Sequence, residues 1–336
     1  VTAPRHPGLT DRFGREHRDL RISLTDRCSL RCTYCMPADG VPWLQRDTML
    51  STDEIVRIAR IAVEMGIDEI RLTGGEPLLR ADVVDVVSRL ARLEGPAGRP
   101  ELSLTTNALR LPALADQLHD AGLVRVNISL DTLRRERFHE LTRRDKLTET
   151  LAGITAADAS GMEPIKINAV AMRGVNDDEI VDLTRFCVDH GYQMRFIEQM
   201  PLDAGHTWDR QQMVTGEEIL AQLRAEWTLV ERSDRGAAPA RVWDIAGTAA
   251  SVGVIASVTA PFCGTCDRVR LTADGQLRAC LFAREESDLR GLLRGGATDE
   301  ELADAVAACL RLKRPGHDID DPAFLQPDRP MSAIGG

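Results

Sequence analysis

The chain has 336 residues, enough for one large domain with an appendage or for two ordinary domains. Hydrophobic residues make up 43% of it and the formal net charge is −10, so a sizeable core is expected and a polyanionic nucleic acid is a poor partner. Aromatics, at 4%, are too few for base-stacking platforms, and no apolar run approaches the roughly 20 residues of a membrane-spanning helix.

The segment Val1-Thr2-Ala3-Pro4-Arg5-His6-Pro7 lacks the apolar centre of a secretory signal, and Ile334-Gly335-Gly336 matches no lipidation motif. Cytoplasmic residence is therefore expected. Thiols stay reduced there, so the 8 cysteines read as metal ligands or catalytic groups before they read as disulfides. Lysine is rare. Only Lys146, Lys166 and Lys313 occur, so a lysine at an awkward position says more than any single arginine.

In chain order, strands are expected at about 19–25, 69–73, 101–106, 124–130, 165–171 and 193–199. Helices are expected near 52–65, 81–93, 112–121, 148–160, 177–190 and 216–225. Gly66, Gly122, Gly161 and Gly191 each close a helix and feed a strand. Ser51-Thr-Asp-Glu54, Asn176-Asp-Asp-Glu179 and Thr215-Gly-Glu-Glu218 have capping-box form. Strict alternation implies a parallel sheet with right-handed crossovers, and six units fall short of a closed barrel of eight. The expected fold is α/β, a partial, six-unit TIM-type β/α barrel over residues 1–225.

Parallel strands covered on both faces should be apolar throughout. These are split. Arg21, Ser23 and Thr25 share one face, as do Arg71/Thr73, Ser103/Thr105, Arg125/Asn127/Ser129 and Lys166/Asn168. The polar faces line a wet or ligand-filled chamber, or else one sheet face is simply solvated.

Beyond about residue 226 short β-like runs appear at 227–231, 241–245 and 251–257, then a hairpin of 268–273 and 276–281 turning at Asp274-Gly275. A helix follows over about 299–313, opened by the capping box Thr298-Asp-Glu-Glu301. Residues 226–336 thus form a C-terminal α+β extension. Its tail from Pro315 shows no core-forming pattern.

Cys28, Cys32 and Cys35 fall in the loop after the first strand, at the sheet edge where such folds keep their active sites. Three thiolates can hold three corners of a [4Fe–4S] cluster and leave one iron open; a zinc knuckle would need a fourth ligand nearby. The C-x3-C-x2-C spacing, with Tyr34 before the last cysteine, resembles the signature of the radical S-adenosylmethionine (radical SAM) superfamily. Thr73-Gly-Gly-Glu-Pro77 follows the second strand, where that superfamily has its GGEP segment.

A second trio is Cys263, Cys266 and, across the hairpin, Cys280, for which a zinc ribbon is the alternative. Cys187 and Cys309 lie in amphipathic helices and read as core. Asp19–Cys28, Arg71–Pro77, Leu104–Asn107, Asn127–Asp131, Arg195–Glu198, Phe262–Leu271 and Met331–Gly336, taken in order, resemble the GTP 3′,8-cyclase family of molybdenum cofactor biosynthesis. Ala108, where the family usually has Gly, and Ser29, where Asn is common, are small departures.

The resemblance implies two [4Fe–4S] clusters, on Cys28/Cys32/Cys35 and on Cys263/Cys266/Cys280, with S-adenosylmethionine at Tyr34, Gly75, Ser129 and Met200. It implies GTP as substrate, held by Arg21, Arg71, Thr105, Lys166, Arg268, Val269 and Arg270. A 5′-deoxyadenosyl radical would abstract the C3′ hydrogen and closure onto C8 would follow. The tail glycines Gly335 and Gly336 are expected to enter the active site. Implied partners are a flavodoxin- or ferredoxin-like reductant and a downstream cyclic pyranopterin monophosphate synthase, with the chain a monomer or homodimer.

Overall fold

The computed structural model describes residues 8–335, and Gly336 lies outside the described residues. The first part of the chain alternates as expected: β1 (Asp19–Ser23), α1 (Thr52–Glu64), β2 (Glu69–Thr73), α2 (Val83–Leu90), β3 (Glu101–Thr106), α3 (Leu111–Asp120) and β4 (Arg125–Ser129). Two helices follow, α4 (Arg135–Thr142) and α5 (Leu147–Ala159), then β5 (Ile165–Ala171), α6 (Ile180–His190), β6 (Gln193–Glu198) and α7 (Gly216–Glu226). β1 to β6 pair in parallel in sequence order, and the sheet does not close.

The remaining strands do not form a layer of their own. β7 (Leu229–Glu231), β8 (Arg241–Ile245) and β9 (Ser251–Ile255) extend the β6 edge, with β9 parallel to β6. β10 (Arg268–Leu271), β11 (Gln276–Arg278) and β12 (Ser287–Asp288) extend the opposite edge, with β10 parallel to β1. One twelve-stranded sheet results, and both raw edges of the six-strand unit are covered by residues from the same C-terminal third. Helices α8 (Leu289–Arg294), α9 (Asp299–Arg311) and α10 (Met331–Ile334) complete the chain.

The split of the strand faces is what holds the layers together. Ile22, Leu72, Leu104, Val126, Ile128 and Ile167 are fully buried under the helices. Each contributes about 1.5–3 kcal/mol by leaving water. α1 shows why such segments are helical: Ile55, Ile58, Ala59 and Ala62 recur on one buried face, and Ser51 and Glu54 close a capping box at its start. The boxes at Thr215 and Thr298 also form.

The expected box at Asn176–Glu179 does not form. α6 starts at Ile180 because its two capping groups are engaged elsewhere. Asn176 Oδ1 accepts from the Met172 amide at 2.8 Å, and the Glu179 carboxylate accepts from Thr132 Oγ1 at 2.6 Å and the Leu133 amide at 2.8 Å. The tail is also more structured than its composition suggests. Ile319 and Ile334 are buried, the latter on α10. No helix among the described residues is long and apolar enough to cross a membrane.

Candidate active site

The loop after β1 carries the first trio and is anchored from an unexpected quarter. The amides of Arg31 and Thr33 donate to the carbonyls of Thr142 and Leu141 at 2.9 Å each, at the end of α4. Arg143, at φ +55, reaches back to the carbonyls of Arg31 and Met36 at 2.8 and 3.0 Å. Burial pushes the Cys28 thiol up to about 11 and Cys35 to about 12, and Cys32 is raised well above its ordinary value. Three thiolates here need a compensating positive centre, as metal ligands do.

The glycine pair after β2 packs against that same loop. The Gly75 and Glu76 amides donate to the Thr25 and Arg27 carbonyls at 2.7 Å each. A Cβ on Gly75 would stand 2.4 Å from the Arg27 carbonyl oxygen, so no side chain fits. Glu76 is buried and ties β2 to β3, accepting from Thr106 Oγ1 at 2.7 Å and the Asn107 amide at 2.8 Å. Ala108, the departure from Gly noted in the sequence, takes φ +68, a left-handed conformation that costs an alanine energy.

Tyr34 donates its hydroxyl to Asp131 Oδ2 at 2.8 Å, while Asp131 Oδ1 accepts from the Val170 amide at 2.8 Å. Burial raises the Asp131 carboxyl to about 6. The first-trio loop is thereby tied to the ends of β4 and β5.

The second trio sits on the opposite wall. Cys263 and Cys266 bracket a short turn, and Cys280 follows β11. Arg268 donates to Cys266 Sγ at 3.2 Å and lies over the Phe262 ring. Burial raises the Cys266 thiol, but Arg268 and Lys313 outweigh it and bring it down to about 7.

Pairing of β10 with β1 produces a transverse row, in which Arg270, Arg21 and Arg71 are direct neighbours in register. Burial and then Arg71 lower Arg21 to about 9, and Arg270 falls well below its usual value through burial, Arg21 and Arg268. Asp19 is the buried carboxylate among them; against its own burial it is held low by Arg21, Arg71, Arg268 and Arg270. One carboxylate among four guanidinium groups leaves a strong positive excess. Several buried polar atoms on this wall make no hydrogen bond, namely Nε of Arg268 and Arg270 and Oδ1 of Asn168, while Nε of Arg21 has only Asp19 Oδ2 at 3.5 Å. Each costs about 1–3 kcal/mol until a ligand meets it.

All six trio cysteines open on one cavity, together with Arg21, Arg71, Arg268 and Arg270 and with Tyr34, Gly75, Thr105, Ser129 and Met200. The sheet face is therefore a chamber wall and not a solvated surface. Two expected residues fall elsewhere. Val269 is buried and paired with Leu20, so its side chain points to the apolar side of β10. Lys166 lines a neighbouring cleft at the start of β5, and Arg195 borders both spaces. Burial, then Arg195, Arg125 and Arg71, lower Lys166 to about 7. Gly335 is not itself on the chamber lining, which takes Met331 and Ser332 from α10, but its carbonyl accepts from Arg270 Nη1 at 2.8 Å.

Asp131, Arg195 and His317 also line the chamber, although sequence reasoning gave them no role. Asp131 and Arg195 stand inside motifs already singled out. His317 had no signal, being distant in sequence from both cysteine trios. Its Nε2 is bonded to the Ser257 carbonyl at 2.8 Å.

The donor sets fit iron–sulfur clusters. A single zinc ion draws four ligands onto one small tetrahedron. Three cysteines around an open corner suit a cubane.

An open parallel sheet with a three-cysteine loop at the mouth of its first strand defines a radical SAM enzyme. Residues 22–187 match the Radical SAM superfamily, and residues 192–319 match Molybdenum Cofactor Synthesis C. The chain is 55% identical to the GTP 3′,8-cyclase of Streptomyces coelicolor, over 98% of this chain and 96% of that one. It is 54% identical to that of Corynebacterium glutamicum over 98% and 89%, and 52% identical to that of Mycolicibacterium smegmatis over 99% and 93%. The chain belongs to the GTP 3′,8-cyclase family. Among solved structures, Streptococcus suis SuiB bound to precursor peptide SuiA aligns with TM-score 0.61 at 15% identity, over 89% of this chain and 67% of that one. That likeness concerns the fold alone.

Proposed function

We propose that this chain converts GTP to (8S)-3′,8-cyclo-7,8-dihydroguanosine 5′-triphosphate, the first step of molybdenum cofactor biosynthesis. Cys28, Cys32 and Cys35 hold one [4Fe–4S] cluster, and Cys263, Cys266 and Cys280 hold the other. The first cluster and S-adenosylmethionine together supply the 5′-deoxyadenosyl radical that removes the C3′ hydrogen of GTP.

The chain's own residues do the rest by binding and orientation. Tyr34, Gly75, Ser129 and Met200 border the space beside the first trio, where S-adenosylmethionine binds. Arg21, Arg71 and Arg270 form the cationic row that takes the triphosphate, and Arg268 stands between that row and the second trio. Thr105 adds a hydroxyl to the same wall. Arg195 leads from the chamber to Lys166, so the far end of the triphosphate reaches the adjoining cleft. α10 brings Gly335 against this group and narrows the access of water.

The observation that carries this reading is the convergence of both trios on one chamber whose buried wall has more guanidinium groups than carboxylates. Residues 1–225 form the radical SAM core, and residues 226–336 supply the second cluster and much of the substrate wall. The enzyme works in the cytoplasm as a monomer or homodimer, takes electrons from a flavodoxin- or ferredoxin-like protein, and passes its product to cyclic pyranopterin monophosphate synthase.

The test is anaerobic incubation of reduced, reconstituted enzyme with S-adenosylmethionine and GTP deuterated at C3′. Mass spectrometry should find deuterium in 5′-deoxyadenosine and a cyclised triphosphate. Release of 5′-deoxyadenosine that does not respond to GTP would overturn the reading.

A further inference from the structure

Lys313 is one of only three lysines, follows the end of α9, and is 3% exposed. Its ammonium donates to the Arg268 carbonyl at 2.8 Å and stands 3.5 Å from Cys266 Sγ. Among the described residues it has no hydrogen-bonded or ion-paired carboxylate. The other charged or titratable groups around it do not supply one. Arg15 is spent on Asp11 at 2.6 Å and on the Cys263 carbonyl at 2.6 Å, and His17 sits beside Asp11. A buried ammonium without a countercharge costs several kcal/mol, so its position demands a negative centre. The sulfur of Cys266 is the group within reach.

The two trios differ sharply in this respect. Cys266 Sγ receives both Lys313 and Arg268, each a cation. Around the first trio the side-chain donors to sulfur are neutral: Asn107 Nδ2, 3.8 Å from Cys28 Sγ, and the Tyr34 side chain at Cys32. Hydrogen bonds to ligand sulfur and added positive charge both favour the reduced form of an iron–sulfur cluster. We propose that Lys313 is a positioning residue of the second cluster: its ammonium fixes Cys266 Sγ as a ligand and raises the cluster's reduction potential. The step concerned is the uptake of one electron by the cluster from the reductant, with no bond broken and no proton transferred. The inference rests on reading the second trio as cluster ligands.

The experiment uses the full chain carrying Cys32→Ala and Cys35→Ala, so that only the second cluster reports. Lys313→Met and Lys313→Arg are made in that background, reconstituted without oxygen, assayed for iron, and titrated with dithionite under electron paramagnetic resonance. Lys313→Met should keep about four irons. Its cluster should be at least tenfold harder to reduce, about 59 mV for one electron, and Lys313→Arg should recover most of the difference. A loaded Lys313→Met cluster with unchanged potential overturns the proposal. Loss of the cluster in Lys313→Met but not in Lys313→Arg supports it, since arginine restores the positive charge and the hydrogen-bond donor that methionine lacks. Loss in both, with circular dichroism unchanged, reduces Lys313 to packing and overturns it. A background protein without iron removes the cluster reading itself, and this inference with it.

Discussion

Arg270 and Gly335 are 65 positions apart in the chain, yet the guanidinium of this chamber-lining arginine donates to the glycine carbonyl at 2.8 Å. Gly335 reaches that point at φ +88, and a Cβ there would stand 2.5 Å from Thr73 Oγ1. Only a residue without a side chain can seat the tail against β1 and β2 in this way.

Gly335→Val should therefore expel the tail and free Arg270. Loss of one charged hydrogen bond is worth about 1.5–3 kcal/mol, so cyclised product should form roughly tenfold to a hundredfold more slowly. Iron content should not change, because no cysteine ligand is touched. Native turnover in this variant would show the contact to be idle.

Arg71 lines the chamber and spends Nε on Ser103 Oγ at 3.2 Å, and among the described residues it makes no ion pair with a carboxylate. Arg71→Ala should weaken GTP binding by about 1.5–3 kcal/mol, read by equilibrium dialysis without S-adenosylmethionine. Unchanged affinity would take Arg71 out of the substrate wall.

Lys166 gives a pH signature. In the free protein it titrates at about 7, depressed by burial and by the neighbouring arginines. A bound triphosphate favours the ammonium and raises that value. At pH 8 free Lys166 is mostly neutral and bound Lys166 is charged, so GTP binding should take up close to one proton. At pH 6 Lys166 is already charged, and its uptake should vanish. Calorimetry in two buffers of different ionisation enthalpy measures this, with Lys166→Met as the control for the nucleotide's own titration. Equal proton counts in native protein and Lys166→Met at pH 8 would remove Lys166 from the binding site.

Cysteine substitutions separate ligands from packing. Cys28→Ala should abolish 5′-deoxyadenosine formation, while Cys187→Ala, at a buried α6 position beside Met194, should leave it intact. Native protein should carry about eight irons and Cys263→Ala about four. One cluster's worth in the native protein would refute the two-cluster arrangement.

The barrel core was legible because its signals are local. Alternating apolar residues such as Ile70 and Leu72 set the strands, and Gly66, Gly122, Gly161 and Gly191 all take the positive φ expected of helix ends. The cysteine trios were legible by spacing. α4 was not, since its segment is highly charged and only Phe138, Leu141 and Thr142 are buried. Its role is also non-local, for it anchors the Cys28–Cys35 loop through Arg143. The pairing of β10 with β1 could not be read either, because Arg268 to Leu271 meets Asp19 to Ile22 across most of the chain. Alternation correctly put Arg268 and Arg270 on one face, but only that pairing shows which wall they join. The same alternation turns the side chain of Val269, which lies between them, toward the core.

The route by which the sheet is finished has a consequence during synthesis. The first six strands emerge from the ribosome with β1 and β6 bare, and both are sealed only when β9 and β10 arrive. Until then two ladders of unpaired amides and carbonyls are open to any neighbouring chain. A nascent polypeptide stalled near residue 226 is thus a sticky half-product, one that invites edge-to-edge association before it can enclose a nucleotide.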